Sequence, residues 1–307
     1  FFSGNSTPGQ GGAIASGILP NQLIGGGVIR MDQTVLIGNT ANRGGGIFVQ
    51  GPIVASRSRV EDSMAVDGGG VYVDNDNGRP SLLFDRFSLE NNSANTAGGG
   101  LLVRNGASPF AVQIAGLHAE GNQAFNGGGI AVVGRGFTRI RATSLVGNEA
   151  TSAGGGLFVE DDETRVEDTT FSGNRAIGGM NFGGVGGDVF VRNQVGFLSS
   201  VDLAFSTLFF GDAGQGSSLY AEGGAGDTVR IRIGQSIVQP SPLSGPAVAT
   251  VGSGTVGSQG GNIGVMLPNC NPCTDITVAS FNDLGLGSRV ELGNGTFAHI
   301  PGTGSPV

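Results

Sequence analysis

LENNSANTAGGGLLV at residues 89–103 and AEGNQAFNGGGIAVV at residues 119–133 carry one pattern twice. In each, an apolar or small residue stands three places before an Asn, an Ala follows that Asn by two places, and a Gly-Gly-Gly-apolar tetrad closes the unit. Outward from this pair the tetrad recurs as GGAI from Gly11, GGGI from Gly44, GGGV from Gly68, GGGL from Gly154 and GGDV from Gly186. The fourth residues Ile14, Ile47, Val71, Leu101, Ile130, Leu157 and Val189 lie 33, 24, 30, 29, 27 and 32 residues apart. A period of that length marks a solenoid.

The residues between the glycines choose the kind of solenoid. Apolar stretches are short and are separated by Gly and Asn turn signals, which leaves no room for helices. Short strands divided by turns predict one coil of three strands per repeat. Stacked in parallel about 4.8 Å apart, such coils form a right-handed parallel β-helix, an all-β fold. Leu219 and Val248 continue the tetrad column at intervals of 30 and 29, giving about nine coils.

The polar column Asn5, Asn39, Ser63, Asn92, Asn122, Asn148 and Asn174 then falls at one recurrent corner. Stacked amides can bond along it as an Asn ladder.

Composition fits a thin, long core. Apolar residues make up 38% of the 307, and the 60 glycines show no triplet period, which sets collagen aside. All 16 basic residues are Arg against 24 acids, for a net charge of −8. That balance argues against a nucleic-acid partner. No apolar run reaches the ~20 residues of a membrane helix, so insertion of this segment into a membrane is not expected. Residues 1–239 read as regular repeats, and residues 240–307 as Pro/Gly/Ser-rich loops with terminal β-helix strands. The chain opens inside a repeat without an initiator Met, which reads as a piece of something longer.

FFSGN before GGAI, FSGN at 171–174 and the repeated GGGI and GGGL resemble the FxxN and GGA(I/L/V) repeats of chlamydial polymorphic outer-membrane proteins. More broadly they are similar to bacterial secreted right-handed parallel β-helix proteins. SQGGNIG at 258–264 and HIPGTGSPV at 299–307 resemble the closing segment of such proteins that carry a C-terminal surface-anchor domain. The resemblance covers residues 1 to about 225 and implies export to a cell surface or extracellular material. It says little about activity.

Four features carry candidate chemistry. Two places before the Asn column stand Glu61, Glu90 and Glu120 in consecutive coils, and four places before it Arg59, Ser88 and His118. Strand alternation turns both positions outward. A Glu ladder at ~5 Å beside His118 is compatible with a glycosidase pair, with calcium, or with a plain solvated face. Asp74-Asn75-Asp76-Asn77-Gly78 resembles half a calcium loop, while it and Glu160-Asp161-Asp162-Glu163 are also ordinary turn chemistry. Separation by three coils puts these two clusters roughly 14 Å apart. Cys270 and Cys273 fit a local disulfide of an exported protein better than a redox or zinc motif. The strands after the glycines are apolar on both faces, so Phe48, Tyr72, Leu102, Ala131, Phe158, Phe190 and Tyr220 are expected to line up outside as an apolar contact stripe.

The resulting expectation is a non-enzymatic structural or adhesive protein without a cofactor, which meets a protein or glycan surface, or itself, through that stripe. The alternatives are a carbohydrate-active enzyme using Glu61, Glu90, Glu120 and His118, and the subunit of an extracellular filament stacked end to end. Unpaired strand edges at solenoid ends would favour such stacking unless flanking sequence caps them.

Overall fold

The computed structural model describes residues 1–16, 28–76, 81–106, 111–178, 183–194, 198–239, 241 and 246–264, and the strands 276–277, 286–292 and 296–301. The described residues are all-β and stack as a parallel β-solenoid. Each coil follows the same path. Ile53–Glu61 lies in the first sheet, Met64–Asp67 in the second and Val71–Asp74 in the third. The next coil, Ser81–Glu90, Ser93–Ala97 and Leu101–Asn105, pairs in parallel onto it strand by strand. The third sheet holds nine strands, hence eight steps between the first and the last coil.

Stacked side-chain columns fill the lumen. Leu36, Val60, Leu89, Leu145, Phe171 and Leu208 come from the first sheet, with Ile47, Val71, Leu101, Ile130, Leu157 and Val189 opposite, all in one buried cluster. Bends in the first sheet are made by residues with left-handed backbone such as Arg57, Arg86, Ala142 and Asp168, φ 46–54°. They turn a corner between two segments, each of which pairs in parallel with the neighbouring coils.

The Asn column is a buried ladder. Asn122 Nδ2 donates to Asn148 Oδ1 at 2.9 Å, Asn148 Nδ2 to Asn174 Oδ1 at 3.1 Å, and Asn92 Nδ2 to Asn122 Oδ1 at 3.0 Å. Each amide also reaches the carbonyl of a first-sheet residue on the preceding coil, as Asn122 Nδ2 does to Leu89 O at 2.8 Å. Asn5 and Asn39 form the same rung at the first coils.

Beyond Asn174 the aligned residue is Gly211, and the rung is supplied from the other side. Asp188 occupies the third tetrad position, and its Oδ1 accepts from Asn174 Nδ2 at 3.1 Å. A Cβ on Gly211 would stand 2.3 Å from Asp188 Oδ2, so the carboxyl group fills the place of the missing amide. Ser206, Ser236 and Asn262 make a comparable column of side-chain acceptors for backbone N–H groups in later coils.

The apolar stripe requires a correction. Phe48, Tyr72, Leu102, Ala131, Phe158, Phe190 and Tyr220 do point away from the lumen, but none is more than 5% exposed. They form a second core with Ala97, Ala153 and Val185, residues at or beside the end of the second sheet. The tight turn at the tetrad brings these strand-end residues against the outer side of the third sheet. Gly127 has φ 62°, and a Cβ there would meet the Ala131 Cβ at 2.8 Å. Rings stack in register, Phe158 on Phe190 at 5.4 Å and Phe190 on Tyr220 at 5.5 Å between centroids. Arg192 lies over Phe158 and Arg43 over Tyr72 as cationic lids. These residues therefore offer no contact surface. Phe158→Ala is expected to cost about 3 kcal/mol, read as a lowered denaturation midpoint, whereas a surface Phe would cost little.

The parallel stack also runs past residue 239. Val248–Gly252 joins the third sheet and Gly254–Gly260 the first, so this stretch continues the coil rather than leaving it as loops. The strand Leu286–Leu292 does not return to the solenoid. It pairs antiparallel with Thr296–Pro301 as a hairpin, because an antiparallel partner a few residues away can be reached by a short connection. Cys270 and Cys273 lie outside the described residues.

Candidate functional site

Register places the acidic ladder on the outer face of the first sheet. Glu90 pairs in register with Glu61 on one side and with Glu120 on the other, and Ser88 with Arg59 and His118. Residues two places earlier on the same strand hold two of the Glu side chains. Arg59 Nε lies 3.1 Å from Glu61 Oε2, and His118 Nε2 lies 2.9 Å from Glu120 Oε2. On its other edge His118 Nδ1 is 2.8 Å from Ser144 Oγ.

Sequence reasoning missed Ser144. It stands four places before Asn148 and pairs in register with His118, so the column that supplied His118 contained it. The Ser–His–Glu contact chain could relay a proton, but Ser144 is fully buried and His118 is 6% exposed. The hairpin strand Thr296–Pro301 lies against the strands Val112–Glu120, Ser144–Val146 and Thr170–Ser172 that carry this chain. Four cavities on the surface lie elsewhere, lined in turn around Arg43, Gln235, Asp227 and Arg104.

The acidic loops are organised by a second internal ladder. Asp74 is buried and its Oδ2 accepts from Gln50 Nε2 at 3.1 Å, while Asp76 Oδ2 meets Arg104 Nη1 at 3.1 Å. Their carboxylates thus turn to separate partners. Among the described residues no three His, Cys, Asp or Glu side chains converge as a metal site.

Behind them Asn75 Nδ2 donates to Asn105 Oδ1 at 2.8 Å, and Asn105 Nδ2 donates to Thr138 Oγ1 at 2.9 Å and to Asp162 Oδ2 at 2.6 Å. The two clusters that spacing alone sets well apart are joined by Asn105. Turn composition explained each loop separately and gave no signal of this inward contact.

Burial pushes the Asp162 carboxyl up to about 6, against the opposing hydrogen bonds of Asn105, Thr164 and Thr138. Burial likewise raises Asp188 well above the usual carboxylate range, with Asn174 and Ser218 offsetting part of the effect. A carboxyl whose proton is held more tightly in the folded chain stabilises it fully below the unfolded value near 4 and loses that contribution as pH rises through the folded value. For Asp162 the loss between roughly pH 4 and pH 7 is on the order of 3 kcal/mol. Thermal denaturation across that range should show Asp162→Asn falling less with pH than the parent. Parallel slopes would show that Asp162 is not the group responsible.

Stacked parallel coils, two internal polar ladders and a doubled apolar core define the chain as a β-solenoid repeat protein. Comparison with protein-family models, with curated proteins and with solved structures found no match. The likeness to chlamydial outer-membrane repeats therefore rests on the motifs alone.

One further set of residues escaped the sequence reading. Met64, Val66, Phe125 and Ile177, on the second sheet or directly after it, are 39–55% exposed. They sit one or three places beyond the Asn column, where alternation turns them outward. The polar residues between them, such as Asn95 and Thr151, hide the column from a hydropathy reading.

Proposed function

We propose that this protein is a non-catalytic β-helix scaffold, exported to a cell surface or extracellular material, which acts by surface contact. The observation that carries the reading is the row of exposed apolar residues Met64, Val66, Phe125 and Ile177, which recurs in alternate coils along the second sheet or directly after it and offers a partner apolar anchors rather than reactive groups. The acidic ladder supports it too: Glu61 and Glu120 are engaged by Arg59 and His118, and Ser144, the hydroxyl in contact with His118, is buried. Export rests on the repeat motifs.

Two measurements test the reading. Met64→Ser, Val66→Thr, Phe125→Ser and Ile177→Thr together should abolish retention on isolated cell-envelope fragments while leaving the denaturation midpoint within a few degrees. Unchanged retention would remove this face as the contact surface. Glycan cleavage by the parent that disappears in a Glu90→Gln, Glu120→Gln variant would replace the scaffold reading with an enzymatic one.

A further inference from the structure

Among the described residues, the other coils make their first-sheet bend with a polar or small residue, as at Gln33, Arg57, Gly116, Ala142 and Asp168. One coil uses Phe205, at φ 50° and 58% exposed. The same coil places Phe210 at the next bend, φ 58° and 40% exposed, where other coils hold Gly4, Asp62, Asn91 or Gly147. A bulky aromatic side chain is disfavoured in left-handed backbone, and a ring left in water returns little of that cost through burial. Neither ring belongs to either of the two buried apolar clusters. Backbone outliers of this kind concentrate at sites of function.

The surroundings specify a ligand. Phe205 follows Ala204, and its amide donates to Gly234 O at 3.3 Å. Ala204 and Gly234 begin the wall of an open cavity of about 400 Å3, completed by Gln235, Gln259, Gly260 and Gly261. That lining is uncharged and offers side-chain amides, which both donate and accept. Asp168 makes the same bend one coil before, a carboxylate that accepts hydroxyl hydrogens and repels anions. Between Phe205 and Phe210, Thr207 and Phe209 face outward on the strand Thr207–Phe209, with Phe209 stacked on Phe210 at 4.0 Å. The two ends lie roughly 15 Å apart along an extended chain, longer than a single sugar ring.

We infer that this coil is a binding subsite for a neutral oligosaccharide. The apolar faces of the pyranose rings stack on Phe205 and on the Phe209–Phe210 pair, and their hydroxyls bond to Gln235, Gln259, Thr207 and Asp168. The inference rests on the surface-contact reading above and gives it a site and a ligand class.

The test uses the full chain with cellohexaose, maltohexaose, chitohexaose and mannohexaose as probes, and oligogalacturonate as the anionic comparison, followed by calorimetric titration. At least one neutral probe is expected to bind and oligogalacturonate not to. Phe205→Asn and Phe210→Gly should each weaken that binding about tenfold, the worth of one lost aromatic contact, with the denaturation midpoint unchanged or raised. Absence of binding by all four neutral probes would overturn the inference, as would binding that both variants retain, or a lowered midpoint showing that the rings are packing groups. Retention of the four-residue apolar variant on envelope fragments is read separately, so loss of the subsite and loss of the contact face are told apart.

Discussion

Asn122→Leu is expected to lower stability by on the order of 5 kcal/mol, since two or three buried polar groups lose their partners at about 1–3 kcal/mol each. Leu has nearly the shape of Asn and none of its polarity. Asn122 Oδ1 accepts from the backbone N–H of Asn92 at 2.9 Å and from Asn92 Nδ2 at 3.0 Å. Its own amide satisfies Asn148 Oδ1 and Leu89 O. All three Asn side chains are fully buried, so water cannot replace what is lost. Asn95→Leu is the matched control, because Asn95 faces solvent and its loss should change stability by less than about 0.5 kcal/mol. Equal denaturation midpoints for the two variants would show that the ladder contributes nothing beyond a surface amide.

The second large effect separates two glycines that look alike in sequence. Gly128→Ala should cost at least about 4 kcal/mol, beyond ordinary overpacking and in the range that marks a broken structural element. Its new Cβ would lie 2.4 Å from Glu149 O and 2.6 Å from Glu149 N, backbone atoms of the next coil that cannot yield without opening the stack. Gly147→Ala should cost only about 1–2 kcal/mol, the penalty of a Cβ in left-handed backbone. Gly147 has φ 56°, but a Cβ there meets nothing within 4 Å. Circular dichroism melts of both variants decide the point, and a Gly147 variant as damaged as the Gly128 one would contradict the close approach of the coils.

The repeat made the fold legible because a parallel solenoid asks the same thing of every coil. An Asn must meet an Asn, an inward Leu or Ile must meet its equivalent, and a Gly must stand where coils touch, so each demand is written six or more times, one coil apart. Position in the column therefore predicted direction. Glu61, Glu90 and Glu120 fall in register for that reason, and Phe48, Tyr72 and Phe158 point away from the lumen as alternation requires.

Direction did not determine exposure. Whether an outward residue meets water depends on how sharply the chain bends at Gly127 and its equivalents, and that bend brings Ala97, Ala153 and Val185 against the aromatic stack. Pairings between different positions of the coil were equally invisible. The carboxyl of Asp188 fills the place above Gly211, and Asn105 joins Asp162 across two coils, although neither pair shares a column. Periodicity records only contacts between equivalent residues, so it yielded the solenoid, the Asn ladder and the acidic register. The second core, the crossed polar contacts and the exposed rings at Phe205 and Phe210 arise where one coil departs from its neighbours, and the tertiary structure alone decides what those departures touch.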